Sequence, residues 1–259
     1  MAGKFSGYLI CSDFDGTLTC DGKTVPRVNL EAIERFEREG GLFTVASGRF
    51  PWQIAAIPEL CINTCAVAIN GSVIADISEK PPRLLWESEV DREVVRRLGE
   101  KFEEMTDIDA LIIHSTEDSV TLCHGAPENP ELVRKALSRP VYKFILMRDP
   151  VITPGIREYA AREFPEVALE QSWPAGLEGR PKNAGKGNAV AKLVELLGGR
   201  ERIHTVIAVG DYENDISMIE YADIGYATAN AAENVKSAAD RVTVSNRDGA
   251  IAAIIRDLG

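Results

Sequence analysis

Asp13 and Asp15 stand one residue apart where the apolar run Tyr8-Leu-Ile-Cys11 gives way to Ser-Asp-Phe-Asp-Gly-Thr17. Two carboxylates this close repel each other, and a hard divalent cation such as Mg2+, which takes oxygen ligands, is the natural compensation. A lone aspartate after a strand is often only a turn former or a helix cap. Here Asp211 follows a second apolar run in the stretch Gly210-Asp-Tyr-Glu-Asn-Asp215, so a shared sheet edge would join three acids into a candidate Mg2+ site. Asp215 would add a direct or water-mediated ligand if a helix begins there. Ser47-Gly48-Arg49 follows another apolar run, and its hydroxyl and backbone N–H groups suit a phosphate oxygen, although Ser-Gly is also a common turn. Arg49 would grip a substrate or pair with an acid. Lys186, in Gly-Lys-Gly, lies near the start of a helix whose apolar face begins at Val190, where the helix dipole disfavours a cation. Something anionic should compensate it, unless it is a surface lysine in a glycine-rich turn. Asn70 and Asn214 read as loop-shaping amides, with substrate contact left open.

Elements must bring these residues together. Short apolar runs at 8–11, 42–46, 65–69, 205–209 and 224–227 each have the length of a buried parallel strand. Between them, Leu30, Ile33 and Phe36 fall on one helical face before Gly40-Gly41, and Val190, Leu193, Val194 and Leu197 do so before Gly198-Gly199. This alternation predicts an α/β fold built on a doubly wound parallel sheet. Such sheets keep their chemistry on the loops at the carboxyl ends of the strands, where Asp13, Ser47, Asn70 and Asp211 all fall.

Residues 77–183 differ in texture. They offer a charged helical stretch at 91–102, strands at 110–113, 119–124 and 142–147, and a helix at 156–164, with Pro81, Pro82, Pro174 and Pro181 punctuating the ends. The expected organisation is a discontinuous core of 1–76 and 184–259 with an inserted α/β domain of 77–183.

The chain has 259 residues, of which 45% are hydrophobic and 27% charged, an ordinary composition for a globular protein. A formal charge of −11 without a basic stripe argues against a nucleic-acid partner, so any phosphate must be held locally. No apolar stretch is long enough to span a membrane and the first residues lack a signal-peptide layout, so no membrane partner is expected and the location reads as cytoplasmic. Cys11, Cys20, Cys61, Cys65 and Cys123 lack the paired spacing of a zinc site and are expected to be free thiols. No residue pattern specifies an oligomeric state.

Taken in order, Asp13-Phe-Asp-Gly-Thr17, Ala46-Ser-Gly-Arg49, Lys186-Gly187 and Gly210-Asp-Tyr-Glu-Asn-Asp215 resemble the four motifs of the haloacid dehalogenase superfamily. Asn70-Gly71, Asn230-Ala231 and the tail from Ser245-Asn246 to Gly249 are similar to its Cof-type sugar-phosphatase branch, which carries a cap domain between the second and third motifs. The resemblance implies a Rossmann-like core, an α/β cap, Mg2+ and hydrolysis of a phosphate monoester of a small metabolite, such as a sugar phosphate. By that resemblance Asp13 is nucleophile and metal ligand, and Asp15 is acid and base while offering its backbone carbonyl to the metal. Ser47, with Gly48, and Lys186 hold the phosphoryl group, Asp211 ligates Mg2+, and Asp215 supports the metal site. The charge argument agrees: a phosphate dianion repels a carboxylate nucleophile, so a cation and an ammonium group must neutralise it before an aspartyl-phosphate forms. The same motifs would serve a phosphomutase or phosphotransferase, or a non-catalytic sensor of phosphorylated metabolites. In the inserted domain, His114, His124, Arg148 and Trp173 would line the substrate entrance, against the ordinary readings of core histidine, surface arginine and packed tryptophan.

Overall fold

Residues Leu9 to Ser12 are all buried, although the strand they form alternates its side chains between two faces, so both faces of the sheet must be covered. In this computed structural model, which describes residues 3–57, 60 and 62–259, that strand is β1 (Tyr8–Ser12). It is followed by α1 (Arg27–Arg38), β2 (Leu42–Val45), α2 (Pro51–Ala55), β3 (Ala66–Ala68), β4 (Val73–Asp76) and β5 (Arg83–Glu87). The inserted stretch contributes α3 (Arg92–Lys101), β6 (Ala110–His114), β7 (Ser119–Cys123), α4 (Asn129–Leu137), β8 (Lys143–Met147), α5 (Pro154–Glu163), β9 (Val167–Trp173) and β10 (Gly176–Pro181). The chain then completes α6 (Lys186–Leu196), β11 (Thr205–Gly210), α7 (Ile216–Tyr221), β12 (Ile224–Ala227), α8 (Glu233–Ala238), β13 (Arg241–Val242) and α9 (Ala250–Asp257).

Two compact units result, one running to Trp86 and resuming at Gly185–Gly259, the other Glu87–Ala184. In the first, five strands in the order β13-β12-β11-β1-β2 pair in parallel. Leu9, Cys11, Val206 and Ala208 share a buried cluster with Ala189, Val190, Leu193 and Val194 of α6, which is why those helical positions repeat at three and four residues. Strand order reverses between β1 and β11, the crevice where open α/β sheets hold ligands. The register Ser12↔Val209 sets Asp13 level with Gly210, so the two acidic loops leave the sheet side by side.

The run at 65–69, expected as a strand of this sheet, instead pairs antiparallel with β4 in a separate sheet, β3-β4-β5. It joins the parallel sheet through the bridge Ala46↔Val67. The backbone turns back at Ile69, Asn70 and Gly71, with φ of 50°, 50° and 83°, so the chain forms a hairpin there. That hairpin continues into β5, and the first unit boundary falls between Trp86 and Glu87 rather than at 76–77.

The second unit is an antiparallel sheet of order β7-β6-β8-β10-β9. Strands β6 and β7 alternate buried and open positions, and Leu111, Ile113, Val120 and Leu122 join Leu98, Phe102, Phe144 and Phe164 in one core. Strands β9, β10 and β13 carry little periodic signal: β10 reads Gly-Leu-Glu-Gly-Arg-Pro and β13 has two residues. Among the described residues no helix is long and apolar enough to cross a membrane. Cys11, Cys20, Cys65 and Cys123 are free thiols, while Cys61 lies outside the described residues.

Candidate active site

Lys186 is fully buried as the first residue of α6, at the helix end where a cation is least welcome. Its ammonium donates to Asp13 Oδ1 at 2.5 Å and to Asp215 Oδ1 at 2.6 Å. Burial by itself would lower the lysine pKa, but the two carboxylates override it and hold the group charged, above its ordinary value. The compensating anions demanded by the sequence are therefore Asp13 and Asp215.

Asp13 extends β1, its backbone N–H donating to Val209 O at 2.9 Å. Asp211 leaves β11 beside it, its Oδ1 accepting from Thr17 Oγ1 at 2.7 Å. Asp215 uses its two oxygens differently: Oδ1 meets Lys186, and Oδ2 accepts the backbone N–H groups of Asp211 at 2.9 Å and Tyr212 at 3.1 Å. It thereby fixes the loop that presents Asp211. Ligand oxygens of Asp13, Asp211 and Asp215 all lie within 4.8 Å of one another. Burial, opposed by Lys186 and reinforced by Asp215 and Asp211, pushes the Asp13 carboxyl well above the usual range. Burial and then Asp215 push Asp211 up to about 6, against the Thr17 hydrogen bond. Three clustered carboxylates facing one ammonium leave a surplus of negative charge. This hard oxygen donor set fits a divalent cation of the Mg2+ type, with Asp13 and Asp211 as the carboxylates not already committed to backbone donors.

The loop after β1 is closed on itself. Gly16 N–H donates to Thr19 O at 3.1 Å and Thr19 N–H to Phe14 O at 3.0 Å, while the Phe14 and Leu18 side chains are buried as anchors. Gly16 has φ of 86°, and a Cβ there would meet Asp211 Oδ2 at 2.5 Å, so glycine is required by both conformation and space. Asp15 is carried outward on this loop. Its carboxylate receives Arg49 Nε at 2.9 Å and Arg49 Nη2 at 2.6 Å, a bidentate pair, and it is not part of the acidic cluster. Arg49 also stacks over Phe14, with its guanidinium 4.5 Å from the ring centroid.

Ser47 is buried after β2, and its hydroxyl oxygen accepts from Arg49 N–H at 3.3 Å, with Gly48 half-buried in the bend between them. Asn70 accepts from Asn214 Nδ2 at 3.3 Å and its N–H donates to Ser47 O at 3.0 Å, so both asparagines shape loops. Residues expected to line the entrance have structural partners within their own unit. His124 stacks on Phe102 and bonds Ile108 O at 2.7 Å, Arg148 pairs with Asp109 at 3.0 Å, and Trp173 lies over Gly176. Burial, then Lys143, lowers the His114 pKa to about 3, keeping it neutral. Thr17 stood within the first motif without a role, and its grip on Asp211 needs a contact across 194 residues of sequence that no local pattern encodes.

A family model described as haloacid dehalogenase-like hydrolase matches residues 10–255. A Bacillus subtilis 5-amino-6-(5-phospho-D-ribitylamino)uracil phosphatase is 26% identical over 269 residues, covering 96% of this chain and 97% of the relative. An Escherichia coli pyridoxal phosphate phosphatase is 27% identical over 267 residues, covering 95% and 97%. The solved structure of a haloacid dehalogenase-like hydrolase from B. subtilis superimposes with a TM-score of 0.80 at 24% identity, covering 97% of this chain and 99% of that one, and shows the same fold. With Asp13 and Asp215 joined by the buried Lys186 and the family model spanning nearly its whole length, the chain belongs to the haloacid dehalogenase-like hydrolases and is an enzyme of their phosphatase branch.

Proposed function

We propose that this enzyme is a Mg2+-dependent phosphatase of the cytoplasm, hydrolysing a small phosphorylated metabolite through an aspartyl-phosphate on Asp13. The observation that carries the reading is the buried Lys186 ammonium held between Asp13 and Asp215, with Asp211 alongside. A sugar or polyol phosphate is the favoured substrate class. The phosphoribitylamino compound and the pyridoxal phosphate named for two relatives mark the range of small phosphate esters to test.

Asp13 attacks phosphorus, and the bond to the leaving oxygen breaks as the aspartyl-phosphate forms. Asp15 donates a proton to that leaving oxygen, exchanging Arg49 for the substrate. The ionised Asp15 carboxylate then takes a proton from water, whose oxygen attacks the same phosphorus and releases Asp13 and inorganic phosphate. Lys186 and the Ser47 hydroxyl hold the phosphoryl oxygens, and Asp215 keeps Lys186 and the Asp211 loop in place. When bound by Asp13 and Asp211, the divalent ion supplies the positive charge that lets an anionic nucleophile approach a phosphate dianion.

The test is turnover of p-nitrophenyl phosphate with Mg2+. Activity should vanish with EDTA, and an Asp13→Asn enzyme should lose about a thousandfold or more in kcat, the scale on which loss of a nucleophile is read. An Asp13→Asn enzyme with native turnover would sink the reading. Phosphosugar formed from a sugar acceptor without matching inorganic phosphate would instead identify a phosphotransferase.

A further inference from the structure

Asn230 and the Ser245–Gly249 segment stand out in the sequence, yet none of their side chains enters the chemistry above. Their hydrogen bonds converge on the loop between Asp15 and Thr19. Asn230 Nδ2 donates to Gly16 O at 2.9 Å. Asn246, itself buried, donates through Nδ2 to Thr19 O at 3.1 Å, and its backbone N–H donates to Asn230 Oδ1 at 2.9 Å. A third amide reaches the same loop from α1: Asn29 Nδ2 donates to Leu18 O at 3.4 Å, and Asn29 Oδ1 accepts the N–H of Ala252 in α9. The carbonyls of Gly16, Leu18 and Thr19 thus each receive a side-chain amide, those on Gly16 and Thr19 from elements distant in sequence. The Asn230 loop also touches the opposite side of the site, since Ala232 N–H donates to Asp211 O at 3.0 Å.

We propose that Asn230 and Asn246 form a brace that positions the acid–base carboxylate of Asp15, through the loop that carries it, for the proton transfers of the reaction. The inference rests on Asp15 acting as acid and base in the reading above. The loop is short and its sheet-side end is fixed by β1, so its far end decides where Asp15 can point. Left to itself, that end is closed by Gly16 N–H to Thr19 O and Thr19 N–H to Phe14 O, bonds that fix its shape but not its tilt. External references come from Arg49 on the Asp15 carboxylate, from Thr17 on Asp211, and from the asparagines, which alone among these hold the loop's backbone carbonyls. Asn246 acts from a buried position, where an unmade amide bond is costly, and its N–H holds Asn230 in the rotamer that reaches Gly16. Asn230 and Asn246 are therefore positioning residues and act as a unit.

The experiment compares p-nitrophenyl phosphate, whose leaving group departs without a proton, with phenyl phosphate, whose leaving group needs one. Single-turnover release of each phenol is measured at saturating Mg2+. Asn246→Leu and Asn230→Asp, the latter keeping the acceptor for Asn246 but losing the donor to Gly16, should slow phenol release about tenfold more than nitrophenolate release, the scale of one well-placed hydrogen bond. The double variant should be no worse than the poorer single one by more than about twofold, as for residues acting together. Arg247→Ala, at an exposed neighbouring position, should match the native enzyme with both esters. An equal slowing of both esters, or none, overturns the proposal. If Asn246→Leu fails to fold, the exposed Asn230→Asp decides by the same ratio. Should the native enzyme show no aspartyl-phosphate, the reading beneath the proposal fails, and that result is distinct from an unchanged ester ratio in an enzyme that forms it.

Discussion

Lys186 is the residue whose surroundings admit the fewest alternatives. Burial and the amino end of α6 both oppose its charge, and Asp13 and Asp215 hold it. Lys186→Met should abolish turnover and, by leaving buried carboxylates without their partner, lower unfolding free energy by about 3–5 kcal/mol in chemical denaturation. A variant of native stability would show that the ammonium does not neutralise those acids. Asp211 yields a pH dependence with the opposite driving force. Its folded pKa, up to about 6, lies above the 3.8 of an unperturbed aspartate, so the folded state binds the proton more tightly than the unfolded chain. The resulting stability is present below pH 4 and is lost as pH rises through 6, a difference on the order of 3 kcal/mol. The EDTA-treated protein should melt at a lower temperature at pH 7 than at pH 5, and Mg2+ should raise the melting temperature more at pH 7. An EDTA-treated protein more stable at pH 7 would contradict the buried surplus of negative charge.

At the scale of elements, the site depends on α6 and α7 approaching closely. A Cβ on Gly187 would lie 2.2 Å from Ser217 O, a backbone atom that cannot give way alone. Gly187→Ala should therefore cost about 1–3 kcal/mol of stability, as overpacking does, and should lower kcat by displacing Lys186 at the head of α6. Unchanged stability and kcat would mean the helices separate freely. Strands β1, β2, β11 and β12 and helices α1 and α6 were legible in the sequence because each buries a continuous run or one periodic face. The antiparallel pairing of β3 was not, because it follows from the left-handed backbone at Ile69 and Asn70. Ile69 N–H donating to Arg49 O and Asn70 N–H to Ser47 O hold that conformation through contacts remote in sequence. Strands β9 and β10 escaped notice because Glu170 pairs with Arg180 and Glu178 with Lys143, charged residues that break the apolar alternation a strand usually shows.

At the scale of the whole molecule, two hydrophobic cores are built from separate sets of residues. One includes Leu193 with Leu9 and Val206, the other Leu98 with Phe102 and Phe144. Leu98→Ala and Leu193→Ala should each cost about 2–5 kcal/mol in the unit that contains the substitution. Calorimetry should resolve separate transitions, each shifted by its own variant. One transition shifted equally by both would show that the cores unfold together. Acid should weaken the inserted unit in particular. His114 is held neutral with its pKa near 3, so its contribution is present above the ordinary 6.5 and is lost as pH falls toward 3.

By itself the sequence pointed to phosphoryl-group chemistry, the parallel sheet and the residues to watch: Asp13, Ser47 and Asp211 follow apolar runs, Lys186 stands in Gly-Lys-Gly near a helix start, and Asp215 lies four residues after Asp211. Those signals are local, and local sequence carries them whole. Only the tertiary structure decided that Lys186 joins Asp13 to Asp215, that Arg49 takes Asp15 while Thr17 takes Asp211, and that asparagines near the carboxyl end fasten the first loop. The physical reason is that each of these is a hydrogen bond between residues far apart in the chain, whose partner is fixed by strand order and register rather than by any neighbouring residue.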